Sequence, residues 1–367
     1  MGTSRADRIR RTVASAVLVA GTFAFTGCFA APAEPVAESS APASDAESGL
    51  ERDVRATFDQ PWERAAVAVI DGHGTEAVFV EADDTTVYEI GNMSTALTGE
   101  LFAIALEREE VAPDDPLGAY LPLGDSPASG VTLLSLATHS SGLPLHPTDA
   151  ATEAAIDDAA ATHGNPFSYT LDQLIDLARL ETLTDPGESH FSFLGAALLG
   201  HALAAAAGTD YETLLGERML GPLDMEGAIV VDTPDGLPAE HAGGHYVDGT
   251  EVEPTVVGAY GPALGVEATL PDLLALAEAV LDGAMSGSAA LEPASETGGQ
   301  WPTSVGYLGE FQEEPARTIT YTIGFTNGFS AALALDRDAG HASIVLANVD
   351  TDAPEYALRY LNRFADG

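Results

Sequence analysis

This chain of 367 residues contains no lysine that could act as a catalytic base. The 14 residues counted together as lysine and arginine are all arginines. A guanidinium does not lose its proton in proteins, so arginine cannot act as a base. Ser94 and His190 could still form a hydroxyl nucleophile and an imidazole base. Ser94, however, opens a run in which Leu97 and Leu101 recur at helical spacing, and serine is common in a first helical turn. We therefore expect a structural role for Ser94 and keep the Ser94–His190 pair as an alternative.

Two histidines, His241 and His245, have a spacing that occurs among metal ligands. Gly243 and Gly244 lie between them and predict a loop, and no third ligand is evident nearby. The sequence thus predicts no metal site and no cofactor.

Short β-rich runs at both ends of the chain surround a helical middle. Residues 65–70 and 76–81 flank Asp71-Gly72-His73-Gly74 and predict a hairpin. Helices are predicted at 94–109, 131–137, 171–180, 194–207, 269–281 and 353–364, and further strands at 318–322, 330–335 and 341–348. This order predicts an α/β domain (51–110 and 255–367) with a mainly helical domain (111–254) inserted.

A long string carries a family resemblance: Leu133-Leu134-Ser135-Leu136-Ala137-Thr138-His139-Ser140-Ser141-Gly142-Leu143-Pro144. Tyr88-Glu89-Ile90-Gly91 precedes it, and Asp185-Pro186-Gly187 and Gly221-Pro222-Leu223-Asp224-Met225 follow in order. From about Tyr88 to the C-terminus the chain resembles the serine β-lactamase and DD-peptidase-like hydrolases, especially class C β-lactamases and penicillin-binding-protein-like esterases. The resemblance implies a fold of the α/β (α+β) type, with an antiparallel five-stranded sheet flanked by helices, a helical domain and an active site between them.

The family's first motif is Gly-Ser-x-x-Lys, in which serine attacks a carbonyl and lysine, one turn later, activates it. Here Asn92 follows Gly91, so asparagine stands at the nucleophile position and Thr95 at the lysine position. A carboxamide is not a nucleophile, and a threonine hydroxyl is not a base near neutral pH. Taking Ser94 as the nucleophile instead would place Leu97 at the lysine position.

The other two family motifs are also replaced. Phe191-Ser192-Phe193 stands where the family has Tyr-x-Asn, and the two rings predict either core packing or an apolar cleft wall. Thr322-Ile323-Gly324 stands where the family has Lys-Thr-Gly or His-Thr-Gly, with Gly324 expected to permit close approach of a ligand. The backbone amides after Gly91 and beside Gly324 are expected to form an oxyanion-binding pair.

The resemblance therefore implies a pseudoenzyme that binds a small or peptidoglycan-like ligand without cleaving it. Two alternatives stay open: an active hydrolase that uses Ser94 with His190, and a scaffold lipoprotein that uses its outer surface. The expected cleft residues are Asn92, Ser94, Thr95, Phe191, Phe193, Thr322, Ile323 and Gly324.

The N-terminus predicts an export signal. Four arginines precede an apolar stretch, residues 13–26, that is too short to span a bilayer. It ends at Gly27-Cys28, which resembles a bacterial lipobox with Phe25 where leucine is usual. We expect a signal peptide at 1–27, a lipidated Cys28 and a disordered Ala/Pro/Ser-rich acidic tether at 28–50. The protein would then lie on the outer face of the cell membrane, attached by lipid alone.

The chain is strongly acidic, with a formal net charge of −43 at pH 7. Removing residues 1–27 removes four arginines and one aspartate, which leaves 10 basic and 56 acidic residues and a net charge of −46. Like charge disfavours nucleic acid and anionic lipid surfaces as partners. The acids are spread along the chain, which favours a solvated acidic surface over one docking face.

Overall fold

The computed structural model describes residues 48–285, 287–297, 303–307, 309–314 and 317–363. The predicted signal peptide, Cys28 and the tether up to residue 47 lie outside the described residues. Residues 48–50, expected at the end of the tether, instead cap and begin a helix. Ser48 accepts a hydrogen bond from the Glu51 amide, and Leu50 is buried, which fixes this turn to the body of the protein.

Among the described residues, the central feature is an antiparallel sheet of eight strands in the order β2-β1-β11-β10-β9-β8-β7-β6. Its strands are β1 (Ala65–Asp71), β2 (Gly74–Val80), β6 (Ser295–Thr297), β7 (Thr303–Val305), β8 (Glu310–Glu314), β9 (Arg317–Thr326), β10 (Phe329–Asp336) and β11 (His341–Ala347). A small second sheet joins β3 (Tyr88–Glu89), β5 (Val266–Ala268) and β4 (Ile229–Val230).

The expected number of five strands was wrong. Strands β2, β1, β11, β10 and β9 account for five, and β8, β7 and β6 extend the sheet beyond β9. The extension covers only part of β9, because the pairing with β8 runs from Arg317 to Tyr321. The remainder of β9, residues 322–326, therefore has no strand neighbour on that side within the described part of the chain.

The helices are α1 (Gly49–Thr57), α2 (Ser94–Glu107), α3 (Leu133–Ala137), α4 (Ala150–Thr162), α5 (Leu171–Ala178), α6 (Phe193–Ala207), α7 (Tyr211–Leu215), α8 (Gly261–Leu264), α9 (Leu270–Leu281) and α10 (Ala353–Asn362). Helices α1 and α10 pack on one face of the large sheet, and α9 packs on the other. The predicted mixture of strands and helices, with a mainly helical middle, is confirmed. Helix α4 was not predicted, because Ile156 is the only large apolar side chain among its buried residues.

Alternation along β1 shows how the sheet separates two hydrophobic clusters. Ala65, Val67 and Val69 pack with α1 and α10, whereas Ala66 and Ala68 pack with the larger cluster around α2, α6 and α9. Helix α2 lies inside the larger cluster, and almost every residue from Ser94 to Ala105 is buried. The side chains at the start of α2 are therefore surrounded by protein.

No single helix among the described residues is long and apolar enough to cross a membrane. Phe193–Ala207 and Tyr211–Leu220 meet the length and composition criteria only jointly, and the pair is bent by 78° at its break.

Candidate functional site

The site begins where a short 3-10 helix, Gly91–Met93, meets β9. The Asn92 Nδ2 donates a hydrogen bond to the Ile323 carbonyl at 3.0 Å, and its Oδ1 accepts one from the Phe325 amide at 2.9 Å. Both β9 groups lie beyond the last residue paired with β8. The Asn92 carboxamide thus takes the place of a neighbouring strand along this edge. We call this arrangement the Asn92 bridge.

The Asn92 bridge uses one of the two backbone amides that were expected to bind an oxyanion. The Phe325 amide follows Gly324, and its hydrogen bond goes to Asn92 Oδ1. A neutral carbonyl oxygen belonging to the protein therefore sits where a substrate oxygen would need this donor. Asn92, which stands at the nucleophile position, therefore removes one amide from the expected oxyanion-binding pair.

Two glycines allow the 3-10 turn to press against β9. Gly91 has φ +51°, and a Cβ there would lie 2.4 Å from the Phe325 carbonyl oxygen. A Cβ on Gly324 would lie 1.8 Å from the Ile90 carbonyl oxygen. The expectation that Gly324 makes room for a ligand is corrected, since backbone of the same chain fills that space.

Ser94 is fully buried at the first position of α2. Its hydroxyl donates to the Gly91 carbonyl at 2.7 Å and accepts from the Val266 amide at 3.1 Å. Both interactions join backbone segments, so the expected structural role fits its surroundings.

The structure does not bring Ser94 and His190 together. The His190 side chain is 58% exposed, and its Nε2 lies 3.7 Å from a Glu188 carboxylate oxygen. A buried hydroxyl with both hydrogen bonds directed to backbone cannot be activated by an exposed imidazole. The geometric basis for this alternative nucleophile and base is therefore absent.

Thr95, at the lysine position of the family motif, is also buried. Its hydroxyl donates to the Asn92 carbonyl at 2.7 Å. This hydrogen bond lies within the turn and stabilises the start of α2. Thr95 therefore supports the Asn92 bridge and supplies no base.

Phe191 and Phe193 flank Ser192, which caps α6 by accepting from the Gly195 amide at 2.8 Å. The Phe191 ring lies 4.4 Å from the His139 ring and 5.0 Å from the Phe193 ring, between ring centres. Both phenylalanines are half-buried. The rings pack against the protein and keep an exposed apolar side, so their role as a cleft wall stays a prediction.

His139 was not identified as a candidate from the sequence, although it lies within the long string that carries the family resemblance. Burial lowers the pKa of its imidazole to about 3. Its Nδ1 accepts from the Ser192 amide at 3.2 Å, so the neutral ring carries its proton on Nε2. His139 is therefore a packing partner for Phe191 and no general base at neutral pH.

The remaining predicted residues lie on β9 beside the bridge. Thr322 and Ile323 are half-buried, and Phe325 is 37% exposed. The predicted cleft residues of the first and third motifs thus come together. Those on β9 keep contact with solvent, whereas the hydroxyls of Ser94 and Thr95 on α2 are buried.

Two groups of side chains among the described residues have donor atoms close enough to hold a metal ion. Glu89, His241 and Glu267 form a buried group, and Asp185, Glu188 and His190 form an exposed one. His245, whose spacing from His241 was noted in the sequence, has its Nδ1 3.1 Å from the Gly243 carbonyl. The buried group could not be predicted from the sequence, because its members are far apart along the chain.

A family model described as Beta-lactamase matches residues 54–366. The chain belongs to the β-lactamase family. In this family member, the Gly91 turn and the start of α2 lie against β9.

Individual relatives support the family and differ in coverage. The D-alanyl-D-alanine-carboxypeptidase/endopeptidase AmpH of Escherichia coli (strain K12) is 29% identical over 190 residues, 46% of either chain. The match thus spans about half the length of that relative. A β-lactamase of Pseudomonas fluorescens is 23% identical over 303 residues, 72% of this chain and 80% of the relative.

The fold is shared with a solved structure. The crystal structure of a class C β-lactamase from Rhodobacter sphaeroides superposes with a TM-score of 0.72 at 22% identity. The match covers 88% of this chain and 100% of that one. This likeness establishes the β-lactamase fold of the chain.

Proposed function

We propose that this member of the β-lactamase family has lost hydrolase chemistry and acts as a ligand-binding or regulatory pseudoenzyme. The Asn92 bridge is the observation that carries the proposal. The residue at the nucleophile position is chemically inert, and both ends of its carboxamide bond to β9. A chain without lysine also has no ammonium base to activate a serine.

The proposed ligand is a small or peptidoglycan-like molecule. The name of the Escherichia coli relative supports this class, since it describes an enzyme acting on D-alanyl-D-alanine. Phe191, Phe193 and Phe325 supply exposed apolar surface, and aromatic side chains contribute much of the contact area in ligand sites. A ligand that paired with β9 would have to displace Asn92 from the Phe325 amide.

Restoring the family side chains tests this proposal. We expect the variant Asn92→Ser, Thr95→Lys, Phe191→Tyr, Phe193→Asn to acquire slow acylation by a fluorescent penicillin. The serine frees the Phe325 amide and the lysine supplies a base, while the family's tyrosine position is reached through a loop one residue shorter. The gain should be small, because a misplacement near 1 Å can cost ~100-fold in rate.

The matched control carries only Phe191→Tyr and Phe193→Asn and should remain inert, because Asn92 still fills the bridge. A folded quadruple variant that is never acylated, although its Phe325 amide is free, would contradict the view that the four native side chains alone account for the loss of catalytic activity.

We also propose that the protein is exported and anchored by lipid at Cys28. The Cys28→Ser variant should leave the membrane fraction or accumulate as an unprocessed precursor, because serine offers no thiol for diacylation. Cell fractionation and mass measurement of the mature N-terminus check this. An unchanged distribution, with cleavage at another residue, would refute lipid anchoring.

A further inference from the structure

The buried group of Glu89, His241 and Glu267 is held together by backbone pairing. Glu89 on β3 lies directly opposite Glu267 on β5 in an antiparallel pair. His241 is placed by a parallel bridge to Val87, whose amide and carbonyl bond to Glu240 and Ala242. The fold thus fixes all three side chains at one point, next to the Asn92 bridge.

The three donor atoms are close and largely withdrawn from water. His241 Nε2 lies 3.5 Å from Glu89 Oε1 and 3.8 Å from Glu267 Oε1. Both glutamate side chains are 2% exposed and that of His241 is 9% exposed. In the described part of the chain no arginine forms an ion pair with either carboxylate.

The two carboxylates differ in the number of hydrogen bonds that they accept. Glu89 accepts hydrogen bonds from the Thr255 amide at 2.8 Å and from the Thr326 hydroxyl. Neither oxygen of Glu267 has a hydrogen-bond partner among the described residues, and the same is true of His241 Nε2. A buried carboxylate without a partner is costly, and a second carboxylate opposite it adds repulsion. Among the described residues, the group that could balance this charge is His241 in its protonated form, 3.5 Å from Glu89 and 3.8 Å from Glu267.

We propose that Glu89, His241 and Glu267 bind a divalent transition-metal ion, with Zn²⁺ the best match to their donors. Zinc accepts imidazole nitrogen and carboxylate oxygen together, whereas calcium and magnesium prefer oxygen alone. Ligands ~2.1 Å from a tetrahedral ion are separated by roughly 3.4 Å. The observed separations of 3.5 and 3.8 Å need little adjustment to reach that value.

A metal ion would neutralise both carboxylates at once. The competing arrangement is a single proton held between them, which supplies only one positive charge.

Binding requires one local rearrangement. The Gly243 amide donates to His241 Nδ1 at 3.2 Å, so the ring proton lies on Nε2. Coordination through Nε2 moves that proton to Nδ1, and the Gly243 amide must turn away. Gly243 has φ +70°, and a Cβ placed there would meet no atom within 4 Å.

The expected role of the ion is structural. Glu89 lies two residues before Gly91, and its partner Thr326 directly follows Phe325. An ion held by β3, β5 and His241 would therefore fasten the segments on both sides of the Asn92 bridge. This inference is independent of whether the site hydrolyses or binds a ligand.

The chain offers a matched control for adventitious binding. Asp185, Glu188 and His190 meet the same distance criterion but are all exposed. His190→Ala removes the imidazole from that exposed group. Glu267→Gln keeps the shape of the buried group and removes a buried charge, so the variant should fold.

The test uses the full chain after chelator treatment, titrated with Zn²⁺ by calorimetry and followed by thermal unfolding. We expect one buried zinc per chain and a higher Tm in the wild type and in His190→Ala. Glu267→Gln should weaken binding at least about 10-fold, the lower bound known for losing even an outer partner of a metal ligand. Folded wild type that binds no zinc would overturn the proposal in favour of the shared proton. Binding lost in His190→Ala but kept in Glu267→Gln would place the zinc on the exposed group.

Discussion

Glu100→Gln should raise the free energy of unfolding by about 2–3 kcal/mol at pH 7. Glu100 lies on α2 and is 3% exposed, and its Oε1 has no hydrogen-bond partner among the described residues. Burial, assisted by the charge of Glu107, raises the pKa of Glu100 to about 9. The side chain therefore folds in its protonated form at neutral pH.

The direction of the pH dependence follows from that shift. The unfolded chain releases this proton near the ordinary value of 4.5, whereas the folded protein keeps it until about 9. Stability therefore falls as the pH rises between these values, by ~1.4 kcal/mol per pH unit at most. Glutamine does not titrate, so the advantage of Glu100→Gln should nearly vanish at pH 4 and grow with pH.

Urea unfolding of both proteins at several pH values measures this difference. Glu278→Gln, at an exposed position on α9, is the control and should change stability by less than about 0.5 kcal/mol. A Glu100→Gln advantage that is the same at pH 4 and pH 8 would show that Glu100 does not retain a proton on folding.

Gly324→Ala should destabilise the fold by about 3 kcal/mol, the upper end of the usual range for overpacking. The added methyl would overlap the Ile90 carbonyl oxygen and lie 2.8 Å from the Ile90 carbonyl carbon. The clash is with backbone, so a rotamer change cannot relieve it. Relief requires β9 to separate from the 3-10 turn, which stretches both hydrogen bonds of the Asn92 bridge.

Gly216→Ala is the matched control, because a Cβ there meets no atom within 4 Å and the residue lies in a helical segment. Alanine favours helix over glycine, so that variant should be as stable as the wild type or slightly more stable. Equal unfolding midpoints for Gly324→Ala and Gly216→Ala would mean that the turn does not press on β9 as described.

The sequence predicted the position of the site better than its contacts. Motif spacing placed Asn92 where the family has its nucleophile, because helix starts and turns are local features. The bonds from Asn92 to Ile323 and Phe325 depend on where β8 stops pairing with β9, and no local pattern encodes that register. Strands β6 to β8 were missed for a related reason, since they are short and rich in Ser, Thr, Glu and Gln.

The buried acidic group was hidden for a stronger reason. Like charges opposite each other in a strand pair are unfavourable, so local rules argue against placing Glu89 across from Glu267. Departures of this kind are expected at functional or strained sites. The sequence also could not decide whether Ser94 faces the cleft or has a structural role. That depends on how α2 packs, and α2 is buried on nearly every side.

Intact-mass measurement of the full chain after incubation with a reactive β-lactam tests the loss of hydrolase chemistry most directly. The account predicts no mass increase, since Asn92 cannot attack a carbonyl and the buried Ser94 hydroxyl is hydrogen-bonded to the Gly91 carbonyl and the Val266 amide. A single acyl adduct that disappears in Ser94→Ala would contradict it and identify this protein as an active serine hydrolase.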